Sequence, residues 1–266
     1  MILTNNKFKL AIPALERGLD VLEIASETSL PLTLTAIARS CGRSVTEMQR
    51  VVACLNHRGY LFRDTGGGYR ITSKLFRMGH ACPPFQDLLA RSRVPMREFT
   101  QRTGEAVHIS VLAEDRLLIV ANLPGIGYLQ LGVNAGSSHD PMISASGKVL
   151  LAAMPASDFE GFIKRNKPAA YQLKTLRRRI AGIRRDGYEC IESHLFCGVY
   201  DLAMGVTMPG DQCVAAVACS WLHPRKSPVR WKSQATQSLL PRLRHCAEQI
   251  AANFERASAS AREIIS

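Results

Sequence analysis

No two of the eight cysteines form a C-x-x-C pair, and none belongs to a paired-cysteine and paired-histidine array of zinc-finger spacing. They stand at positions 41, 54, 82, 190, 197, 213, 219 and 246 and read as ordinary reduced thiols, mostly buried. No window approaches the ~20 consecutive apolar residues of a membrane span. The opening "MILTNNKFKLAIPALERG" also lacks a basic segment followed by an apolar run. A cytoplasmic location with no membrane partner is therefore expected. Acid is scarce: 22 Asp and Glu stand against 34 Lys and Arg, a formal net charge of +12. The balance points to an anionic partner without locating it. Residues 1–80 hold eleven Lys and Arg against six Asp and Glu, a net of +5, which leaves +7 for the remainder.

Motifs of local catalytic chemistry are missing too. "SGKVLLA" ends like a phosphate-binding loop, but Val149 stands where such a loop needs Ser or Thr, and Met142 where it needs its first glycine. There is no G-x-S-x-G elbow and no H-E-x-x-H helix. No catalytic residue, cofactor or metal site is assigned. A triad can still assemble from residues distant in sequence. An enzyme with an appended helical nucleic-acid or protein-binding module is thus the alternative reading.

What is present begins at Leu15. A chain of 266 residues is more readily two domains than one. Leu15, Leu19, Leu22 and Ala25 recur at helical spacing and are expected to share a buried face, until "SETSLPLT" breaks the pattern. A short helix follows in "TLTAIARSCG", capped by Thr33 or Thr35 and closed by Gly42. Ser44 and Glu47 then form the S-x-x-E capping box, which starts a third helix. Met48, Val51, Val52 and Leu55 fall on its inner face and Thr46, Gln49, Arg50, Ala53 and His57 on or near the other. After Gly59, "YLF" and "GYRIT" flank "RDTGGG", two short strands around a glycine-rich turn bearing Arg63 and Arg70.

Three short helices and a hairpin in this order make a winged helix-turn-helix, whose third helix enters a DNA major groove. Arg43, Ser44, Thr46, Gln49 and Arg50 are the candidate contacts of that helix and its entry turn, with Arg63 and Arg70 from the wing. Gln49 suits adenine, and Arg50 guanine or a phosphate. A winged helix serving only protein contacts is a third reading, because fold does not fix function.

Residues 75–104 are broken by Pro83-Pro84 and then read as a linker helix. From about Phe85 to Arg102 this helix is the candidate dimer contact. Beyond Gly104, "EAVHISVLAEDRLLIVANL" reads as two antiparallel strands around "EDR", with "YLQLGV" as a third. Helices are expected at 144–154, 156–166 and 173–186, strands at "YECI", "LAMGVTM" and "CVAAVACSW", and a last helix from about Lys232 to Arg256 before the low-complexity "ASASAREIIS". The fold class is α+β. The expected division is a winged helix-turn-helix domain over 8–78, a linker helix over 79–104, an α+β domain over 105–257, and a disordered tail over 258–266.

Six stretches in one order, "ALERGLDVLEIAS", "LTAIARSCGRSVTEMQRVVACLNHRGYLFRD", "GYRI", "SASGKVLLA", "IRRDGYECIE" and the pair "LAMGVTM" and "CVAAVACSW", resemble the isocitrate lyase regulator (IclR) family of bacterial transcription factors. The resemblance spans about Ile12 to Phe254. It implies a GAF-like C-terminal domain, an antiparallel sheet flanked by helices, that binds a small effector and joins homodimers into tetramers. Double-stranded DNA with a palindromic operator is the implied partner.

The resemblance also implies a pocket. The family's glycine-containing turn that offers backbone N–H groups to a ligand carboxylate falls on Ala145 and Ser146. Its pocket acid falls on Glu192, its frequent cysteine on Leu202, and its two serines on Ala218 and Ser220; Tyr128 and His139 fall on the apolar wall. A small organic mono-acid with one further oxygen function is the expected effector, with Glu192 accepting from that function and Leu202 and Ala218 touching carbon.

Overall fold

The computed structural model describes residues 12–80, 83–127, 130–194, 196–208, 212–223, 230 and 233–263. The chain divides into two compact units, Met1–Gln86 and Asp87–Ser266.

In the first unit, α1 (Pro13–Ser26) starts with proline in its first turn, where a missing N–H costs nothing. It is followed by α2 (Leu34–Ser40) and α3 (Val45–His57). The side chain of Thr33 caps α2 by accepting from Ala36 N at 3.1 Å. Both α2 and α3 end in the same device. Gly42 (φ +61°) and Gly59 (φ +72°) take the left-handed conformation that closes a helix. Arg43 N then donates to Ala38 O at 2.9 Å, and Tyr60 N to Leu55 O at 2.9 Å, satisfying carbonyls that the helices leave open. The wing strands β1 (Leu61–Arg63) and β2 (Tyr69–Ile71) pair with Leu61 opposite Ile71. A bridge between Leu32 and Tyr69 ties this hairpin to the segment before α2. Gly68 must be glycine, because a Cβ there would stand 2.4 Å from Pro31 Cβ.

Val21, Ile37, Met48, Val52 and Leu61 form the core of this unit. The expected inner face of α1 is only half right. Leu22 is half-buried and Ala25 buried, but Leu15 and Leu19 are 57% and 50% exposed. The face turns instead on Val21, which the i, i+4 count had passed over. A last helix of the unit, α4 (Ser73–His80), follows the wing.

The second unit is a six-stranded antiparallel sheet between two layers of helices. Its strands are β3 (Ala106–Ala113), β4 (Arg116–Leu123), β5 (Ser138–His139), β6 (Tyr188–Glu192), β7 (Val199–Met208) and β8 (Gln212–Leu222), in the order β5-β4-β3-β8-β7-β6. Positive φ at Glu114 and Asp115 makes the tight turn joining β3 to β4. The third strand expected at "YLQLGV" is absent from the described residues 130–133; the strand beside β4 is the two-residue β5. The apolar alternation that suggested it lines a cavity instead, with Leu131 and Val133 in its wall.

One sheet face carries α5 (Pro83–Thr103), a π-helical turn at Gln234–Leu239 and α9 (Leu240–Glu263). Leu88, Met96 and Phe99 of α5 sit in that core with Val107, Ile109, Val217, Trp221 and Leu243. Each such side chain stabilises by about 1.5–3 kcal/mol on burial. The linker helix therefore spends its apolar side within its own unit, and runs unbroken through Pro95. The last helix reaches Glu263, through the part expected to be a disordered tail. Alanine, arginine and glutamate are strong helix formers and continue the helix once it has begun.

The other face carries α6 (Ala145–Ala153), α7 (Ala156–Asn166) and α8 (Ala170–Asp186), the last beginning three residues before the expected 173. Ala203, Ala216 and Ala218 pave the sheet here, with Val149 and Leu150 of α6 packed over them. Gly147 lets α6 approach its own entry loop: a Cβ there would meet Pro141 Cα at 2.3 Å.

Candidate nucleic-acid interface and ligand pocket

Helix α3 presents Thr46, Gln49 and Arg50 to solvent, with Arg43 exposed in the turn before it, while Met48 and Val52 are buried beneath. The capping box is formed as expected. Glu47 N donates to Ser44 Oγ at 3.3 Å, and Ser44 N donates to Glu47 Oε2 at 3.1 Å. Ser44 is exposed, yet its hydroxyl also donates to Glu47 Oε2 at 2.9 Å, so its first task is to start the helix. These bonds hold the Glu47 carboxyl below its usual range. Arg17 of α1 reaches Glu47 Oε1 at 3.3 Å and fixes the helix entrance from below.

The two wing arginines differ. Arg63 is exposed, lies over the Tyr69 ring at 5.8 Å and donates to Gly67 O at 3.3 Å. Arg70 donates to Ser29 O at 2.8 Å and lies 3.8 Å from Asp64 Oδ2, so it braces the wing against the segment before α2.

In the second unit a cavity of about 250 Å³ opens between the sheet, the start of α6 and the loops that follow β4 and β6. A wider cleft of about 650 Å³ runs along α8, but its Arg179 and Arg185 are already engaged by Glu189 and Asp186. The smaller cavity is the one where polar groups converge. Helix geometry leaves the N–H groups of Ala145 and Ser146, at the first two positions of α6, without an intrahelical acceptor. Ser144 Oγ takes only the third, accepting from Gly147 N at 3.2 Å. The positive end of the helix adds to the attraction for an anion.

The structure brings five expected residues to this cavity: His139, Ala145, Ser146, Ala218 and Ser220. His139 Nε2 lies 2.8 Å from Ser137 Oγ, and burial pushes its pKa down. Three residues fall elsewhere or beyond view. Tyr128 lies outside the described residues. Leu202 is fully buried on the opposite sheet face, against α5 and α9, because strand side chains alternate. Glu192 does not line this cavity but an adjoining cleft, and accepts from Gly198 N at 3.0 Å.

Residues 84–252 match the family model for the bacterial transcriptional regulator IclR C-terminal domain. Residues 14–65 match the IclR helix-turn-helix domain. The chain belongs to the IclR family. Among relatives of this IclR-family regulator, the HTH-type transcriptional regulator XynR of Escherichia coli (strain K12) is 24% identical over 225 residues, covering 80% of this chain and 88% of XynR. The transcriptional repressor IclR of the same organism is 23% identical over 219 residues, covering 79% and 80%. Solved structures share the fold. An IclR homolog from Microbacterium hydrocarbonoxydans, complexed with 4-hydroxybenzoate, has a TM-score of 0.78 at 21% identity and covers 91% of this chain and 99% of its own. IclR of Thermotoga maritima has a TM-score of 0.71 at 20% identity, covering 91% and 98%. This IclR-family protein is accordingly a DNA-binding transcriptional regulator.

Several pocket groups of the IclR-family chain escaped the sequence reading, Asp140, Ser144, Ser193 and His194 in the loops and Asp201 and His108 on strands. Asp201 stands one residue before Leu202 and faces the cavity, accepting from Ser220 Oγ at 2.5 Å. Burial raises its pKa, against the opposing pull of Ser220. His108, on β3, lines the cavity while only 7% exposed. Burial beside His139 pushes its pKa down to about 4, so the ring is neutral. A signal for the two strand residues was present: each is an ionisable residue inside a mostly apolar strand, in "VYDLAM" and "AVHISV". No helix of the described residues is long and apolar enough to cross a membrane.

Proposed function

We propose that this regulator is a cytoplasmic, effector-controlled repressor with no catalytic role, which reads a palindromic operator through the α3 helices of a homodimer or a dimer of dimers. Gln49 and Arg50 read base edges, Arg43, Ser44 and Thr46 set the entrance to the groove, and Arg63 and Arg70 serve the duplex backbone from the wing. One short helix reads too few base pairs alone, and two-fold symmetry doubles them. The repressing direction follows its similarity to IclR of Escherichia coli.

The effector is a small organic mono-acid held in the 250 Å³ cavity. The observation that carries this is the pair of open N–H groups at Ala145 and Ser146, on the positive end of α6. Leu117, Ile119 and Val133 give the middle of the ligand carbon to touch. The Microbacterium homolog with 4-hydroxybenzoate bound supports an acid of this size.

The test has two arms. A gel shift on the DNA upstream of the chain's own gene, repeated across salt, should show specific binding that weakens steeply as salt rises. Thermal unfolding should rise with a binding acid by mass action. Ser146→Pro deletes one donor N–H and should remove most of that rise. Acids that stabilise both proteins equally would place the effector elsewhere. Light scattering at micromolar concentration reads the oligomer, and a monomer that binds its operator tightly overturns the two-fold reading.

A further inference from the structure

We infer that His108, Asp201 and Ser220, at the sheet end of the pocket, select an effector that carries an uncharged hydroxyl opposite its acid group and reject a second acid. This rests on the reading of α6 as the acid-binding end.

The three side chains share one sheet face. In the strand register Asp201 pairs with Ser220 and His108 pairs with Ala218. Ala218, with a single methyl, lines the same cavity as the imidazole and the carboxylate. Among the described residues the His108 ring has no hydrogen-bond partner, although it is more than nine-tenths buried and borders the cavity. A ligand in the cavity that supplies a bond to this ring gains accordingly. Asp201 accepts from Ser220 through Oδ1, which leaves most of the acceptor capacity of its carboxylate for a ligand.

The donor and acceptor count decides the ligand class. A hydroxyl has one donor and two lone pairs, so it donates to Asp201 and accepts from the N–H of a neutral His108. An ammonium has three donors and no acceptor, so it cannot accept from the N–H of His108 and leaves that donor without a partner. A second carboxylate meets Asp201 as a like charge, and Asp140 of the same wall adds to the repulsion. The other imidazoles of the wall do not alter this count: His139 is paired with Ser137, and burial lowers its proton affinity too. His194 and Lys148 are the other titratable groups that Asp201 feels, and Lys148, outside the cavity wall, donates to Ile143 O at 2.6 Å; Asp140 is a second carboxylate of the wall.

Calorimetry with acids that differ only in the hydroxyl tests this: 4-hydroxybenzoate against benzoate and 4-hydroxybutyrate against butyrate, with terephthalate as the second-acid probe and 4-(aminomethyl)benzoate as the ammonium probe. In at least one pair the hydroxy acid should bind roughly tenfold tighter or more, and both probes should bind more weakly than that hydroxy acid. His108→Leu should shrink the preference to below about threefold. Asp201→Asn keeps the volume and removes the like charge, so it should strengthen terephthalate binding relative to 4-hydroxybenzoate; it also serves if His108→Leu does not fold. Equal binding of hydroxylated and plain acids, with Ser146→Pro still weakening both, overturns this inference and leaves the acid end standing. Failure of every acid to bind, or binding indifferent to Ser146→Pro, overturns both.

Discussion

The hydroxyl of Ser220 on β8 donates to Oδ1 of Asp201 on β7 across 2.5 Å, linking two neighbouring strands at the floor of the pocket. Asp201 has lost most of its water there, and burial raises its pKa. A serine bond of this kind favours the charged carboxylate and offsets part of that cost. Ser220→Ala should therefore raise the Asp201 pKa further. The carboxyl resonance in a pH titration followed by NMR reads the shift directly, and an unchanged pKa would mean that the bond contributes nothing in solution.

Gln49 and Arg50 stand on the exposed side of α3. Replacing either by alanine should cost roughly 1–3 kcal/mol on the operator and little on shuffled DNA if the residue reads a base edge. Equal losses on both DNAs mark a phosphate contact. No loss for either variant would take α3 out of the groove.

The wing arginines should separate in one experiment. Arg63→Ala is expected to lower the salt slope of binding by about one unit and to leave folding intact, as for a lost phosphate contact. Arg70→Ala breaks the bond to Ser29 O and should also destabilise the first unit, by about 0.5–1.5 kcal/mol. Anisotropy titrations across salt, paired with thermal unfolding, compare the two. Identical behaviour would show that Arg70 does not brace the wing.

Gly147→Ala should destabilise the second unit by roughly 1–3 kcal/mol, because its Cβ would overlap Pro141 Cα at 2.3 Å and force α6 away from its entry loop. Acid binding should weaken with it, since the same movement displaces the N–H groups of Ala145 and Ser146. Denaturant unfolding and calorimetry check the two effects. A variant with unchanged stability would mean that the loop yields freely.

His108 gives a pH dependence with a defined sign. Its folded pKa of about 4 lies below the ordinary 6.5, so the unfolded chain binds the extra proton first. The contribution is fully present above pH 6.5 and is lost as pH falls through about 4, amounting to ~3 kcal/mol at the acid end. His139 is the titrating group beside it, and its pKa is lowered too. Denaturant unfolding of His108→Gln between pH 7 and 4 should show a shallower loss than the unmodified protein. Parallel curves would mean that His108 is already hydrated.

Local signals alone determined the DNA-binding half. Ser44 and Glu47 close their capping box within one helical turn, and Gly42 and Gly59 end helices through bonds to residues at most five positions away. Such contacts depend on nearest neighbours, so they can be read along the chain. Even there, which face of α1 is buried depended on what packs against it, and Val21 took the place expected of Leu15 and Leu19. The pocket was decided only by tertiary structure. Asp140 and Asp201 line it and Glu192 does not, and Leu202 faces the opposite core, because a shift of one residue along a strand reverses the side on which a side chain stands. Asp201 and Ser220 meet across the β7–β8 hairpin, but His108 joins them only when β3 pairs with β8 across more than one hundred positions of sequence, and no local pattern carries that register.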